Sequence, residues 1–226
     1  MILNPFASLD LSGKRLRVAL FTKEDDIVSD QEAARKIEAT KAAGLNQAHG
    51  NRVIVVRDAT NRTEEADGMI TDVPELALCI RWADCQNFVV YAPDHHVLGA
   101  MHVGWRCLRE VTIPSFFKTL KEEFGINGEE CLVAGGPSLC IEHSGFSDPM
   151  NEMPNVPRAF IRQDNHVDLR EWARRQFMDA GIDPGNIEIH RECPACNPEK
   201  YWTYRGGDRE TVKAGHTNML TCAMHE

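Results

Sequence analysis

Apolar residues along this chain fall in short dense runs separated by clusters of Gly, Pro, Asn and Asp, the spacing of strands and turns. The run "RLRVALFT" (15–22) has the β-branched and aromatic content of a strand. Further strand signals cover 52–57, 76–82, 86–92 and 97–103, with turn residues such as "PDHH" between them. "CLVAGG" (131–136) predicts another buried strand, and "NIEIH" and "YWTYR" predict two late ones. Three helices break the series. "QEAARKIEATKAAG" (31–44) holds helix formers behind a capping box of Ser29 and Glu32, and ends at Gly44. A second helix runs from near Trp105 towards Phe124, kinked or split by Pro114, which has no N–H for an interior hydrogen bond. The third lies over "LREWARRQFMDA", with Asp168 and Glu171 at its start and Gly181 closing it. Strands and helices mixed without regular alternation indicate an α+β fold. With no linker, charge block or repeat, residues 1–226 are expected to form a single domain.

Composition narrows the class. At 226 residues and 42% hydrophobic content the chain can bury a substantial core without disulfides or a structural metal. A formal charge of -9 and a pI near 5.5 argue against general affinity for nucleic acid, while leaving room for a local basic site that takes one small anion. The first residues lack the basic, apolar and small-residue regions of a signal peptide, and no apolar run is long enough for a membrane span. The expectation is a soluble cytoplasmic protein. Thiols stay reduced in that compartment, so the eight cysteines read as buried apolar residues, metal ligands or nucleophiles rather than as bridges.

The chemistry-bearing residues gather at predicted strand ends, where a scaffold displays functional groups. His49 lies at a turn before a strand, beside Gly50. Cys85 falls between two strand signals, and His102 ends a strand just before Gly104 and a helix start. One Cys and two His form a recurrent ligand set for catalytic zinc, with the fourth position left to water or substrate. The same residues fit two satisfied core histidines and a buried thiol, because they form no compact zinc motif. Cys107 is expected in the core, and His95 and His96 in an exposed turn. Cys193 and Cys196 form a C-x-x-C, either a redox pair or half a zinc site, with no second C-x-x-C to complete it.

The segments "QAHG", "ADGMITD", "ADC" and "HVGWR" resemble, in order and spacing, the signatures of the YfiH-like laccase-domain family, also called multicopper polyphenol oxidases and later described as purine nucleoside phosphorylases. The resemblance implies a mixed β-sandwich core flanked by helices, with one zinc on His49, Cys85 and His102. The chain departs from the family pattern at Cys107, which stands where Gly usually follows "HxGWR". It also departs in a reduced N-terminal loop ("FTKEDD") and in "GGPSLCIEHSG", which is shorter than its family counterpart. These changes alter substrate-facing loops and leave the implied ligands in place.

The resemblance further implies a purine nucleoside as substrate, with phosphate as co-substrate in phosphorolysis, or deamination of adenosine. Zinc lowers the pKa of bound water from about 16 to about 7, which suits deamination. Phosphorolysis needs a cation for the phosphate, and Arg106 at a predicted helix start is the first candidate, ahead of Arg81 and Arg52. Asp84 could orient a ligand histidine, orient its loop or serve as acid/base. Gln47 is a candidate substrate contact, and Tyr201, Trp202 and Tyr204 an aromatic wall for a purine. Asp67 and Asp72 read as turn caps or ligand contacts. Three rivals stand beside this reading. One is laccase-like polyphenol oxidation with copper at the same site, although none of the nine histidines forms the His-x-His pair of copper clusters. The others are a metal-free hydrolase with Cys85 as nucleophile and His102 as base, and a metal- or partner-binding domain without activity. Oligomeric state is not legible in the sequence.

Overall fold

Strands covered on both faces read as unbroken apolar runs, and most strands of this protein are of that kind. The computed structural model describes residues 1–9 and 15–226. In chain order its elements are β1 (Ile2–Leu3), β2 (Leu16–Phe21), α1 (Asp30–Lys36), β3 (Lys41–Gly44), β4 (Val53–Val55), β5 (Gly68–Thr71), β6 (Leu76–Trp82), β7 (Gln86–Ala92), β8 (Val97–Val103), α2 (Trp105–Arg109), α3 (Thr112–Phe124), β9 (Leu132–Gly135), α4 (Pro149–Glu152), α5 (Leu169–Asp179), β10 (Ile187–Ile189), α6 (Arg209–Lys213) and β11 (Asn218–Met224). Short 3-10 turns punctuate the loops.

Two mixed sheets result, in the orders β1-β2-β11-β6-β3 and β10-β9-β7-β8-β5-β4. Side-chain alternation assigns their faces. Val18, Leu20, Leu78, Ile80 and Leu220 of the first sheet pack with Met69, Val89, Tyr91, Leu98 and Ala100 of the second, forming the core between sheets. The opposite parity of the first sheet, Ala19, Phe21, Ala77, Cys79 and Met219, is covered by Ala33 and Ala34 of α1. That of the second, including Phe88, Val90 and Met101, is covered by Phe116 of α3 and Trp172 and Phe177 of α5. The fold is therefore a mixed α+β sandwich with helices on both outer faces, as the sequence and its resemblance led us to expect.

Three sequence-based elements need correction. The helix predicted over 31–44 stops at Lys36, because Glu38 takes a positive φ of 63° and residues 41–44 pair in parallel with Leu76–Cys79. Gly44 marks a close approach rather than a helix end, since a Cβ there would lie 2.2 Å from the Asp30 carboxylate. "YWTYR" is a loop, held by Trp202 N–H on Asn218 Oδ1 and by Thr203 on Asp84. The late strand is instead β11, central in its sheet between β2 and β6. The helix over 105–124 is split, as expected, but the break lies at Val111 (φ 56°). Pro114 sits in the first turn of α3, where a missing N–H costs little.

Candidate active site

Antiparallel pairing brings the ends of neighbouring strands to one edge of the second sheet. Residues 86–92 of β7 pair with 97–103 of β8, so Asn87 faces His102 and Cys85 lies just beyond the end of the ladder. Gly68 of β5 faces Met101 on the other side of β8, which sets Asp67 beside His102. β4 runs parallel to β5, and the turn before it carries His49 to the same edge. Three short, sequence-distant segments thus meet because β7, β8, β5 and β4 lie side by side in this sheet.

The Sγ of Cys85 and one ring nitrogen each of His49 and His102 lie within 4.8 Å of one another. The imidazoles meet edge to face, with ring centroids 4.8 Å apart. Close approach depends on Gly104 rather than Gly50, since a Cβ at Gly104 would stand 2.9 Å from Cys85 Sγ and 3.2 Å from His49 Cδ2. His49 itself adopts φ 60°, an unfavourable conformation for a residue with a side chain. Asp67, fully buried, accepts from His102 Nδ1 at 2.8 Å and from the Gly50 N–H at 2.7 Å. Its hold on Nδ1 leaves Nε2 as the free ring nitrogen of His102, the usual orienting role of a carboxylate behind a metal-binding histidine.

Charge follows the geometry. Burial by itself would raise the Cys85 thiol, but the His102 and His49 rings more than reverse this and bring it down to about 6. Burial disfavours the charged form of His102, yet the Cys85 thiolate and Asp67 push its pKa well above the ordinary histidine value. Burial likewise pushes Asp67 up, but the hydrogen bond and charge of His102, with the Gly50 and His49 N–H groups, leave it below the usual carboxylate range. The site favours a Cys85 thiolate beside a protonated His102. Two imidazoles and a thiolate with one side open is a donor set that fits a four-coordinate metal.

These donors line a cleft of about 720 Å³, which Gln47, Asp84 and Arg106 also line. The roles expected of the latter three separate. Gln47 is occupied by the backbone of Arg81, donating to its carbonyl at 2.6 Å and accepting from its N–H at 2.9 Å. Asp84 accepts from the Thr203 hydroxyl at 2.6 Å and the Arg205 N–H at 2.7 Å. Of the roles considered for it, orienting its loop has direct support, while Asp67 is the carboxylate on the histidine. Burial outweighs those two hydrogen bonds and raises the Asp84 pKa. Arg106 is exposed and stacks over Trp105 at 4.7 Å, and no carboxylate pairs with it among the described residues. Arg81 lines the cleft too, but Arg52 pairs with Glu64 and Asp72 with Arg57 on the surface. His95 and His96 are exposed as expected, on Glu130 and Arg15, and Cys107 is buried with its sulfur 4.0 Å from His102 Nδ1.

Of the three aromatic residues proposed as a wall, only Tyr204 lines the cleft. Tyr201 is buried with its hydroxyl on Glu192, and Trp202 packs on His216. Trp105 and Phe146 stand in their place, edge to face at 5.8 Å, and the Arg205 guanidinium lies 5.6 Å over Phe146. Sequence reasoning missed Phe146 and Arg205 because both lie in irregular loops with no motif. It undervalued Asp67, although an acidic residue directly before a strand that neighbours His102 was a usable signal.

Comparison with known proteins decides the family. A model described as multi-copper polyphenol oxidoreductase laccase matches residues 5–223. The chain belongs to this family. Among its relatives is a protein of Bacteroides thetaiotaomicron named purine nucleoside phosphorylase, 29% identical over 158 residues; the match covers 66% of this chain and 57% of that protein's length. Another, from an unknown prokaryote, is named adenosine deaminase RL5 and is 22% identical, with 74% of this chain and 65% of that protein covered. In structure the chain is similar to YlmD from Geobacillus stearothermophilus, with a TM-score of 0.77 at 22% identity, covering 87% of this chain and 79% of the other. The sandwich fold is thus shared. No helix among the described residues is long and apolar enough to cross a membrane.

Proposed function

We propose that His49, Cys85 and His102 hold one zinc ion at the floor of the cleft and that the protein cleaves purine nucleosides by phosphorolysis. The observation that carries this reading is the convergence of three sequence-distant donors within 4.8 Å in a cleft large enough for a nucleoside. The relatives' names supply the substrate class. A bound zinc would contribute a Lewis acid at the open coordination position.

The chain's own residues account for the remaining tasks. Trp105, Phe146 and Tyr204 offer apolar faces for a purine ring. Arg106, exposed and without a carboxylate partner among the described residues, draws the phosphate, and Arg205, over Phe146, adds a second positive group to the cleft lining. In the reaction the bond between C1' of the ribose and the base nitrogen breaks, a phosphate oxygen bonds to C1', and the base leaves with a proton. The proton comes from the dihydrogen phosphate, and Asp84, both of whose oxygens bind the 203–205 loop, holds Tyr204 and Arg205 at the cleft. Asp67 fixes the His102 tautomer. Incubation of zinc-loaded protein with adenosine and phosphate is expected to yield adenine and ribose 1-phosphate, and His102→Ala to abolish them. Absence of any product from adenosine, inosine and methylthioadenosine would overturn the proposal, and inosine formed without phosphate would replace phosphorolysis by deamination.

A second reading has its own observation. Cys85, His102 and Asp67 line up as nucleophile, base and orienting acid, with the thiol lowered to about 6. Such a triad leaves His49 without a task, which is why the metal reading is preferred. Metal analysis separates them: zinc that is lost in Cys85→Ala supports the first, whereas an active metal-free protein supports the second. Copper can occupy the same donors, since it binds nitrogen and sulfur ligands tightly, and then the oxidase reading predicts oxygen-dependent phenol oxidation.

A further inference from the structure

Cys193 and Cys196 do have partners, in a pair that is Cys-x-x-His rather than Cys-x-x-Cys. We propose that Cys140, His143, Cys193 and Cys196 form a second metal centre, a closed structural zinc site that fastens two walls of the cleft together. It is independent of the reading given to the first site.

Each half is prepared by local structure. Cys140 precedes the 3-10 turn Ile141–His143, and Cys193 precedes the 3-10 turn Pro194–Cys196. In a 3-10 turn residues i and i+3 eclipse, so both members of each pair point the same way. The two turns face one another, and all four donor atoms lie within 4.8 Å of one another. His143 Nδ1 stands 3.2 Å from Cys140 Sγ, 3.5 Å from Cys196 Sγ and 3.7 Å from Cys193 Sγ, and the Cys140 and Cys196 sulfurs are 3.7 Å apart. Zinc bonds of about 2.3 Å to sulfur and about 2.0 Å to nitrogen require tetrahedral edges of roughly 3.8 Å and 3.5 Å, close to those separations. Hydrogen bonding does not explain the cluster, because one ring nitrogen carries either one proton or one lone pair and cannot serve three sulfurs. All three cysteines are free thiols.

Chemistry and charge both fit. Three soft thiolates and an imidazole suit zinc, and with four protein donors no position is left open, the mark of a structural site. Zinc with three thiolates and a neutral histidine carries one net negative charge. Arg170 of α5 supplies the compensating positive charge, donating to the carbonyls of Ser138, Arg191 and Glu192, the last next to Cys193. The consequence reaches the cleft: Leu139 and Phe146 flank the first half of the cluster, and Tyr204 and Arg205 follow the second, all four lining the cleft.

The test is a zinc count on protein purified under thiol protection without added metal, with cobalt substitution as a second, spectroscopic readout. Two equivalents are expected for the native chain, one for Cys196→Ser and for Cys140→Ser, one for His102→Ala, and none for the His102→Ala/Cys196→Ser double variant. His102→Ala loaded with cobalt should still show intense thiolate-to-cobalt absorption, since only the three-thiolate site remains. The proposal fails if that cobalt protein lacks the band, if Cys196→Ser keeps the native zinc count, or if intact mass shows the native chain two hydrogens short, a disulfide within the cluster. Failure of the first site alone would remove only the equivalent that depends on His102.

Discussion

Two aspartates sit close to the histidine–thiol cluster and do different work because their oxygens face different donors. Asp67 has no exposed surface and spends one oxygen on His102 Nδ1 and the other on the Gly50 N–H. Asp84, at φ 80°, spends both on the 203–205 loop. A left-handed conformation at a non-glycine residue costs on the order of 1–3 kcal/mol, tolerated where surrounding bonds over-determine it. The proposed roles can be separated by amide substitution. Asp67→Asn keeps the shape but exchanges a charged acceptor for a neutral amide behind His102, and loss of such a partner lowers metal affinity about 10–100-fold. Competition with a chromophoric chelator measures this directly; an affinity unchanged within twofold would deny Asp67 the orienting role.

At the scale of elements, the junction between α2 and α3 carries the clearest conformational cost. Val111, β-branched and 41% exposed, holds φ 56° in a region that such residues seldom occupy. Its side chain contributes little to the core, so relief of strain should dominate any substitution. Val111→Asn is expected to stabilise the protein by about 1 kcal/mol, because Asn visits the left-handed region readily. For a domain of this size that raises Tm by roughly 2–4 °C, which calorimetry can resolve; an unchanged or lower Tm would show that the valine is held there by packing. The same junction illustrates what the sequence discloses. Elements with a strong local signature, such as β6 to β8 and the Asp168-capped α5, were legible because apolar pattern and caps agree with the fold. Helix α1 was overextended because the Ala-rich tail has helix propensity, while parallel pairing of Ala42 and Ala43 with β6 decides the outcome. β11 was missed because its identity rests on non-local pairing with β2 and β6. In the candidate site, the three donors were found through family motifs. The second cluster was overlooked because Cys140 and His143 are 50 or more residues from Cys193 and Cys196, and only the loops bring them together.

Taken as a whole, the molecule places both donor clusters where segments from different parts of the chain must stay together. Metal binding at either therefore favours the folded state, since an unfolded chain offers no comparable site. The size of the effect follows from mass action: free zinc at about 100 times its dissociation constant adds about 2.7 kcal/mol. For a chain of this length that corresponds to a Tm increase of roughly 5–10 °C. To isolate the first cluster, the measurement belongs on Cys196→Ser, in which the second centre lacks a ligand. Its Tm should rise with added zinc, fall on chelation and regain its value on restoring the metal. The Cys85→Ala/Cys196→Ser double variant should show no zinc-dependent shift. Iodoacetamide offers a companion readout, because a Cys85 thiolate lowered to about 6 should alkylate at neutral pH in metal-free protein and be protected when zinc is present. A Cys196→Ser protein whose Tm and Cys85 reactivity ignore both zinc and chelator would mean that the three donors hold no ion. His102 and Asp67 would then serve the Cys85 thiol alone, as the hydrolase reading requires.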